Sequence, residues 1–223
     1  PLPPTSAAGR LQAAIWGDLQ DGVRHVAADP VLAVLVVLAA APALFVLPYL
    51  TFLPVYARDI LAIGAPGLGL LTGSIGVGAL AGALLMASLR PSGGSGRLLL
   101  AGLLSMSLSL ATFALSTSVP VTCLALAILG ASQVAYYSTT NTLLQVRVPA
   151  RLRGRVHSLY VLTSIGLMPV GNLVAGAVAE RTGVPPVLAV GGALTLAVAL
   201  LAAAVRPELR RLRPDREGPP RAA

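Results

Sequence analysis

Apolar residues run in six long, nearly unbroken blocks, at 31–56, 66–89, 98–115, 119–145, 156–179 and 184–205, with hinges of only a few residues between them. A bilayer core about 30 Å thick needs roughly 20 residues of helix, so each block is long enough, or nearly so, to cross one. None contains Asp, Glu, Lys or Arg. A helix bathed in water carries charge on its outer face; blocks that are apolar nearly all round take lipid or one another as solvent. The pattern therefore predicts an all-α membrane protein with a bundle of six transmembrane helices over residues 31–205. Short hinges make chain neighbours antiparallel.

Residues 1–30 read as a cytoplasmic linker with an amphipathic helix. Positions 1–9 are rich in Pro, Ala and Ser and hold too little apolar surface to fold alone. Leu11, Ile15, Leu19, Val23 and Val26 then recur at helical spacing with polar residues between them, as in a helix lying along a membrane surface. The chain begins at Pro1 and reads as the continuation of something longer. Pro66 and the Pro185-Pro186 pair stand at helix starts, where a missing N–H does little harm. Pro42, Pro48, Pro54 and Pro169 lie within the first and fifth spans and are expected to bend them.

A net charge of +8, with every basic residue an Arg, raises the question of nucleic acid, but the arginines sit between spans and build no basic domain face. They are better read as topology. Fourteen of the sixteen, from Arg10 to the tail residues Arg206–Arg221, fall on one side; only Arg58 and Arg181 fall on the other. The positive-inside rule then puts both termini in the cytoplasm and makes residues 206–223 a basic cytoplasmic tail. The run Arg151, Arg153 and Arg155 reads as an anchor at lipid headgroups. Cys123 stands alone, which excludes an intramolecular disulfide. Asp21, His25 and Asp29 share a helical spacing but read as charge pairs, so neither a metal nor a cofactor is expected.

Candidate chemistry is confined to polar residues at membrane depth. At about 100° per residue, Gln133, Tyr136, Tyr137, Thr140 and Asn141 share one side of the fourth span, with Gln145 at its edge. His157, Tyr160, Ser164, Met168 and Asn172 share one side of the fifth. These two faces predict a wet cavity lined by Gln133, Tyr137, Asn141, Tyr160, Ser164 and Asn172, because an amide in hydrocarbon is costly and an aqueous path relieves it. For the Ser and Thr hydroxyls, bonding to their own helix is the competing account. Tyr49, Phe52 and Tyr56 share a face near the outer end of the first span and read either as an interfacial aromatic belt or as a gate or substrate-stacking group, with Tyr49 counted among the cavity residues. The second span carries Gly69, Gly73, Gly78 and Gly82, two pairs four apart that predict close helix packing. They match a dinucleotide fingerprint poorly, with no preceding strand and no acidic residue beyond.

The run from Asn141 to Gln145, then Val148 to Tyr160 with its Arg-Leu-Arg-Gly-Arg core, then Gly166 to Asn172, resembles the tenth and eleventh helices of major facilitator superfamily exporters. It is most similar to the branch of enterobactin and macrolide exporters. Leu53-Pro-Val-Tyr-Ala-Arg-Asp-Ile and the glycine-rich second span resemble the seventh and eighth helices of the same branch. The resemblance implies a C-terminal six-helix half of a secondary exporter in a bacterial inner membrane. It implies alternating access against a missing N-terminal six-helix half and a small amphipathic substrate, siderophore or drug-like, exchanged for protons. It also implies that the first, second, fourth and fifth spans face the cavity, with the sixth and its Thr195 peripheral. The loop from Gly82 to Arg97 lacks the acidic residue of the superfamily's cytoplasmic motif, and no carboxylate lies within a block. Any proton carrier must then lie in the other half or near Asp59 or Glu180. A six-helix membrane interaction or scaffold protein that transports nothing, or an inactive transporter fragment, is the alternative; an intramembrane enzyme ranks third, for want of an acid pair, HExxH or convincing buried Ser/His arrangement.

The arginine asymmetry predicts that reporter fusions after Ser95 and Arg153 behave as cytoplasmic and those after Gly64 and Gly183 as external. A reversed or mixed pattern would refute the six-span topology. Cys123, near the outer end of the fourth span, is expected to react with an impermeant thiol reagent only from outside, and slowly.

Overall fold

The computed structural model describes residues 24, 26, 28–88, 95–148 and 151–205. Apart from Arg24, Val26 and residues 28–30, the proposed N-terminal linker and amphipathic helix lie outside this set, as do positions 89–94 and the basic tail. Six apolar helices account for the rest: α1 Pro30–Ile60, α2 Gly64–Ser88, α3 Ser95–Leu115, α4 Val119–Arg147, α5 Arg153–Thr182 and α6 Val184–Val205. There is no strand among the described residues. All six expected spans are present. The first and fifth run past their expected ends to take in Arg58, Asp59, Arg153, Arg155, Glu180 and Arg181, since charged groups at a helix end can reach the headgroup layer.

Glycines set how the helices meet. The most extensive contacts join α2 to α4, α4 to α3, and α3 to α6. At the first of these, a Cβ on Gly78 would collide with the Ala127 carbonyl and one on Gly82 would stand 2.7 Å from the Ala131 carbonyl, while Gly130 abuts the Ile75 carbonyl in return. Gly192 brings α6 against the Ser107 carbonyl of α3. Lipid tails are as apolar as the helices, so backbone-to-backbone approach through small residues supplies the attraction that hydrophobicity cannot. The Gly69/Gly73 pair does not follow the expectation. Both residues are exposed and no atom lies within 4 Å of either missing Cβ, because the face that meets α4 runs through Gly78 and Gly82.

Helical regularity is interrupted at Pro42–Pro48 and just before Pro169, whereas Pro54 sits inside the α-helical stretch Tyr49–Val55. In α1, π-helical turns occupy Pro42–Val46 and Tyr56–Ile60, with a break at Leu47 and Pro48 between them and α-helix. Leu47 N–H reaches back five residues to the Pro42 carbonyl at 2.9 Å, and Pro48 has no N–H to offer the carbonyl before it. Gly171 of α5 then sits against the Ala43 and Leu44 carbonyls, and Gly191 of α6 against that of Phe45. α5 itself is interrupted at Leu167, and its second half starts with Met168 and Pro169. Gly183, at φ 85°, turns the chain from α5 into α6.

Asp29 ties one end of the bundle. Its carboxylate caps α1 by accepting from Val31 N–H at 2.9 Å and Leu32 N–H at 3.4 Å, and its second oxygen accepts from Arg147 Nε of α4 at 3.0 Å. Partial burial raises the carboxyl pKa, but the Arg147 guanidinium and the two backbone donors outweigh it and hold it below its ordinary value. Asp29 thus acts as a cap and an ion-pair partner; Asp21 and His25, its proposed neighbours, lie outside the described residues.

Two outcomes follow from this packing. Gly78→Leu is expected to lower the melting temperature or the yield of folded protein in detergent, at a cost of about 1–3 kcal/mol or more, whereas Gly73→Leu leaves both near wild type. Equal effects would refute the assignment of the packing face. Asp29→Ala is expected to cost about 1 kcal/mol, and Asp29→Asn less because the cap survives. A depressed pKa stabilises the fold above the unfolded-state value and loses that contribution as pH falls through the folded one. The gap between wild type and Asp29→Asn should therefore close on acidification below about pH 4.

Candidate functional site

Most hydroxyls at membrane depth are spent locally. Thr72, Ser74, Ser107, Thr112, Thr140, Thr142, Ser158, Thr163 and Thr195 each donate to the carbonyl four residues back, at 2.8–2.9 Å. Ser132 does the same toward Ile128 and also lies 2.8 Å from Ser105 Oγ, a polar link between α4 and α3. These groups are satisfied without any ligand. Thr195 is fully buried, on the face of α6 that also carries Gly191 and Gly192 and packs into the bundle.

Against that background, four buried polar atoms among the described residues close no hydrogen bond, although Gln133 stands near the first and Thr140 near the second: Tyr49 Oη of α1, Tyr136 Oη of α4, and Ser164 Oγ and Asn172 Oδ1 of α5. Tyr49 and Tyr136 are fully buried, and Ser164 is 5% exposed. The first three belong to one neighbourhood. Tyr49 Oη points toward the Gln133 amide without closing a hydrogen bond and lies near Tyr137. Tyr136 and Tyr137 meet edge to face at 5.2 Å between ring centroids, and both lie near Tyr160, whose hydroxyl is close to Ser164 one turn further along α5. His157 stacks obliquely below Tyr160 at 6.1 Å. Three helices thus converge on a patch of phenols, an amide and a hydroxyl, with no charged group among them.

The structure brings five of the seven expected cavity residues together: Tyr49, Gln133, Tyr137, Tyr160 and Ser164. Asn141, half-buried, lies two turns from Gln133, and its side-chain carbonyl accepts from Gln145 Nε2 at 3.1 Å, an i,i+4 bond on its own helix. Asn172 is half-buried on the far side of the Leu167 break with one oxygen unpartnered. Tyr136 belongs in the patch although it was not among the expected cavity residues; its place on the polar face of α4 was the available signal.

The aromatic-belt reading of the first span is overturned. Tyr49, Phe52 and Tyr56 are buried rather than turned to the lipid interface. Phe113 of α3 accounts for this: its ring lies 4.1 Å from that of Tyr56 and 6.3 Å from that of Tyr49, and Tyr56 Oη donates to the Ala114 carbonyl at 2.8 Å. That carbonyl is near the C-terminus of α3, where helical donors run out.

No curated protein matches the chain. The sequence profile of a transmembrane secretion effector family (MFS_3) matches residues 5–216, nearly the whole chain. With six apolar helices in half of a major facilitator bundle, this chain belongs to that family of multi-pass membrane transport proteins.

Proposed function

We propose that the chain is the C-terminal half of a proton-coupled exporter in a bacterial plasma membrane. It moves small amphipathic molecules, siderophore or drug-like, outward by alternating access, with both termini in the cytoplasm. The observation that carries the reading is the set of unpartnered buried atoms at Tyr49, Tyr136 and Ser164 beside the Gln133 amide. Leaving a buried donor or acceptor unsatisfied costs about 1–3 kcal/mol, and sites that keep such groups use them on something that comes and goes. An uncharged patch of phenols and amide suits a substrate that stacks and hydrogen-bonds. α2 and α5 are the least buried of the six helices, which supports a second six-helix bundle for them to work against. Exposed Gly69, Gly73 and Gly76 on α2 would let that bundle come close. The proton carrier is assigned to the second bundle or to Asp59 or Glu180, both at helix ends.

In a full-length transporter rebuilt with a matching N-terminal half, Tyr49→Phe and Tyr136→Phe are expected to lower efflux several-fold, the loss of one hydrogen bond of about 1 kcal/mol. Thermal stability should hold or rise, because each change deletes an unsatisfied buried hydroxyl. Gln133→Ala and Asn141→Ala are expected to impair efflux at normal membrane abundance. If stability falls in step with activity, these side chains are interhelical glue and the substrate role is lost. Vesicles holding this chain alone should show no substrate-specific efflux.

A further inference from the structure

A concavity lies away from the polar patch, on the side of the bundle where α1, α5 and α6 meet. It is a groove of about 490 Å³, running along Val174 and Val178 of α5 to Thr182, and along Val190 and Leu194 of α6. Its origin is the glycine contacts already described. Gly171 and Gly191 bring their helices onto the bent part of α1 and supply no side chain of their own, so the helices touch at the backbone while the space beside them stays unfilled. The lining offers no free hydrogen-bonding side chain. Thr182, its one hydroxyl, donates to the Val178 carbonyl at 3.0 Å.

At membrane depth such a groove is filled by what surrounds it. A polar or stacking molecule finds nothing to bond there, whereas a hydrocarbon chain leaves no group unsatisfied. A charge stands beside one end, outside the lining itself. Arg181 is exposed in the last turn of α5, where the helix leaves the apolar region, and stands three residues past Val178, so it shares the groove's face; Glu180 lies on the opposite side. An apolar channel with an exposed arginine next in sequence to the lining residue Thr182 suits one acyl chain joined to one phosphate. We propose that this groove binds a phospholipid, with an acyl chain along α5 and α6 and the phosphate at Arg181. The proposal stands apart from the substrate patch and from any direction of transport.

The test uses the full chain in nanodiscs containing phosphatidylglycerol with a photoreactive diazirine in one acyl chain, followed by peptide mapping. Labelling is expected to concentrate on residues 171–182 and 186–194. Val190→Trp and Leu194→Trp, which replace exposed side chains and fill the groove, should each cut it at least fivefold. Arg181→Gln should lower labelling by phosphatidylglycerol but not by an uncharged diacylglycerol carrying the same chain. Wild-type labelling spread equally over other exposed apolar positions, such as Leu80 and Leu84 of α2, overturns the proposal without reference to any variant. So does groove labelling that both tryptophans leave unchanged, or a groove left unlabelled.

Discussion

Inside a bilayer, a backbone carbonyl deprived of its helical donor cannot turn to water, and Pro42 and Pro48 put that problem in the middle of α1. The helix answers by widening to a π-turn, through the five-residue bond from Leu47 N–H to the Pro42 carbonyl. The bundle answers by laying Gly171 and Gly191 over the Ala43, Leu44 and Phe45 carbonyls, where a Cα–H is the one group small and polarised enough to sit. Much else follows. The bend carries Tyr49 inward to Phe113 and the phenol patch, and the two glycines fix α5 and α6 against α1 while leaving the lateral groove beside them.

The same accounting separates structural polarity from functional polarity. Among the described residues, eleven Ser and Thr hydroxyls donate to the carbonyl four residues back on their own helix, and the Ser105–Ser132 pair joins α3 to α4; all would be there in a bundle that bound nothing. Tyr49, Tyr136 and Ser164 differ because their hydroxyls are buried and unspent. A phenol cannot fold back onto its own helix as Ser and Thr do, since its oxygen lies too far from the backbone. Tyrosine at depth therefore either finds a distant acceptor, as Tyr56 does at Ala114, or remains available.

The spans were legible in the sequence because lipid imposes a condition on composition alone: about 20 apolar residues, with charge at the ends. The kinks were legible because proline acts locally. What depended on helix rotation was harder. Gly69/Gly73 and Gly78/Gly82 look alike in sequence, but only the second pair faces α4. The burial of Thr195 could not be read from a lone hydroxyl on an apolar helix, because it depends on the rotation that packs that face inward. Tyr49, Phe52 and Tyr56 gave no sign of Phe113, which comes from another helix about 60 residues on. The polar faces of α4 and α5 could be drawn from a 100° period, but the break at Leu167 separates Asn172 from the rest of its face.

Packing also divides the bundle into parts of unequal firmness. α2, α4, α3 and α6 form a continuous series in which each pair shares a long, glycine-mediated contact. No pairing of α1 or α5 is as extensive, and these are the two helices broken by proline. The phenol patch spans that division: Gln133, Tyr136 and Tyr137 stand on the firm part, Tyr49, Tyr160 and Ser164 on the bent helices. Close-packed helices move as bodies, and change is cheapest where contacts are fewest and the backbone is already interrupted. A shift of α5 about Leu167 or of α1 about Pro42–Pro48 would bring the unspent hydroxyls together or part them without disturbing the glycine contacts between α2 and α4. The physics that lets proline exist in these spans thus places the polar patch where the bundle yields most readily.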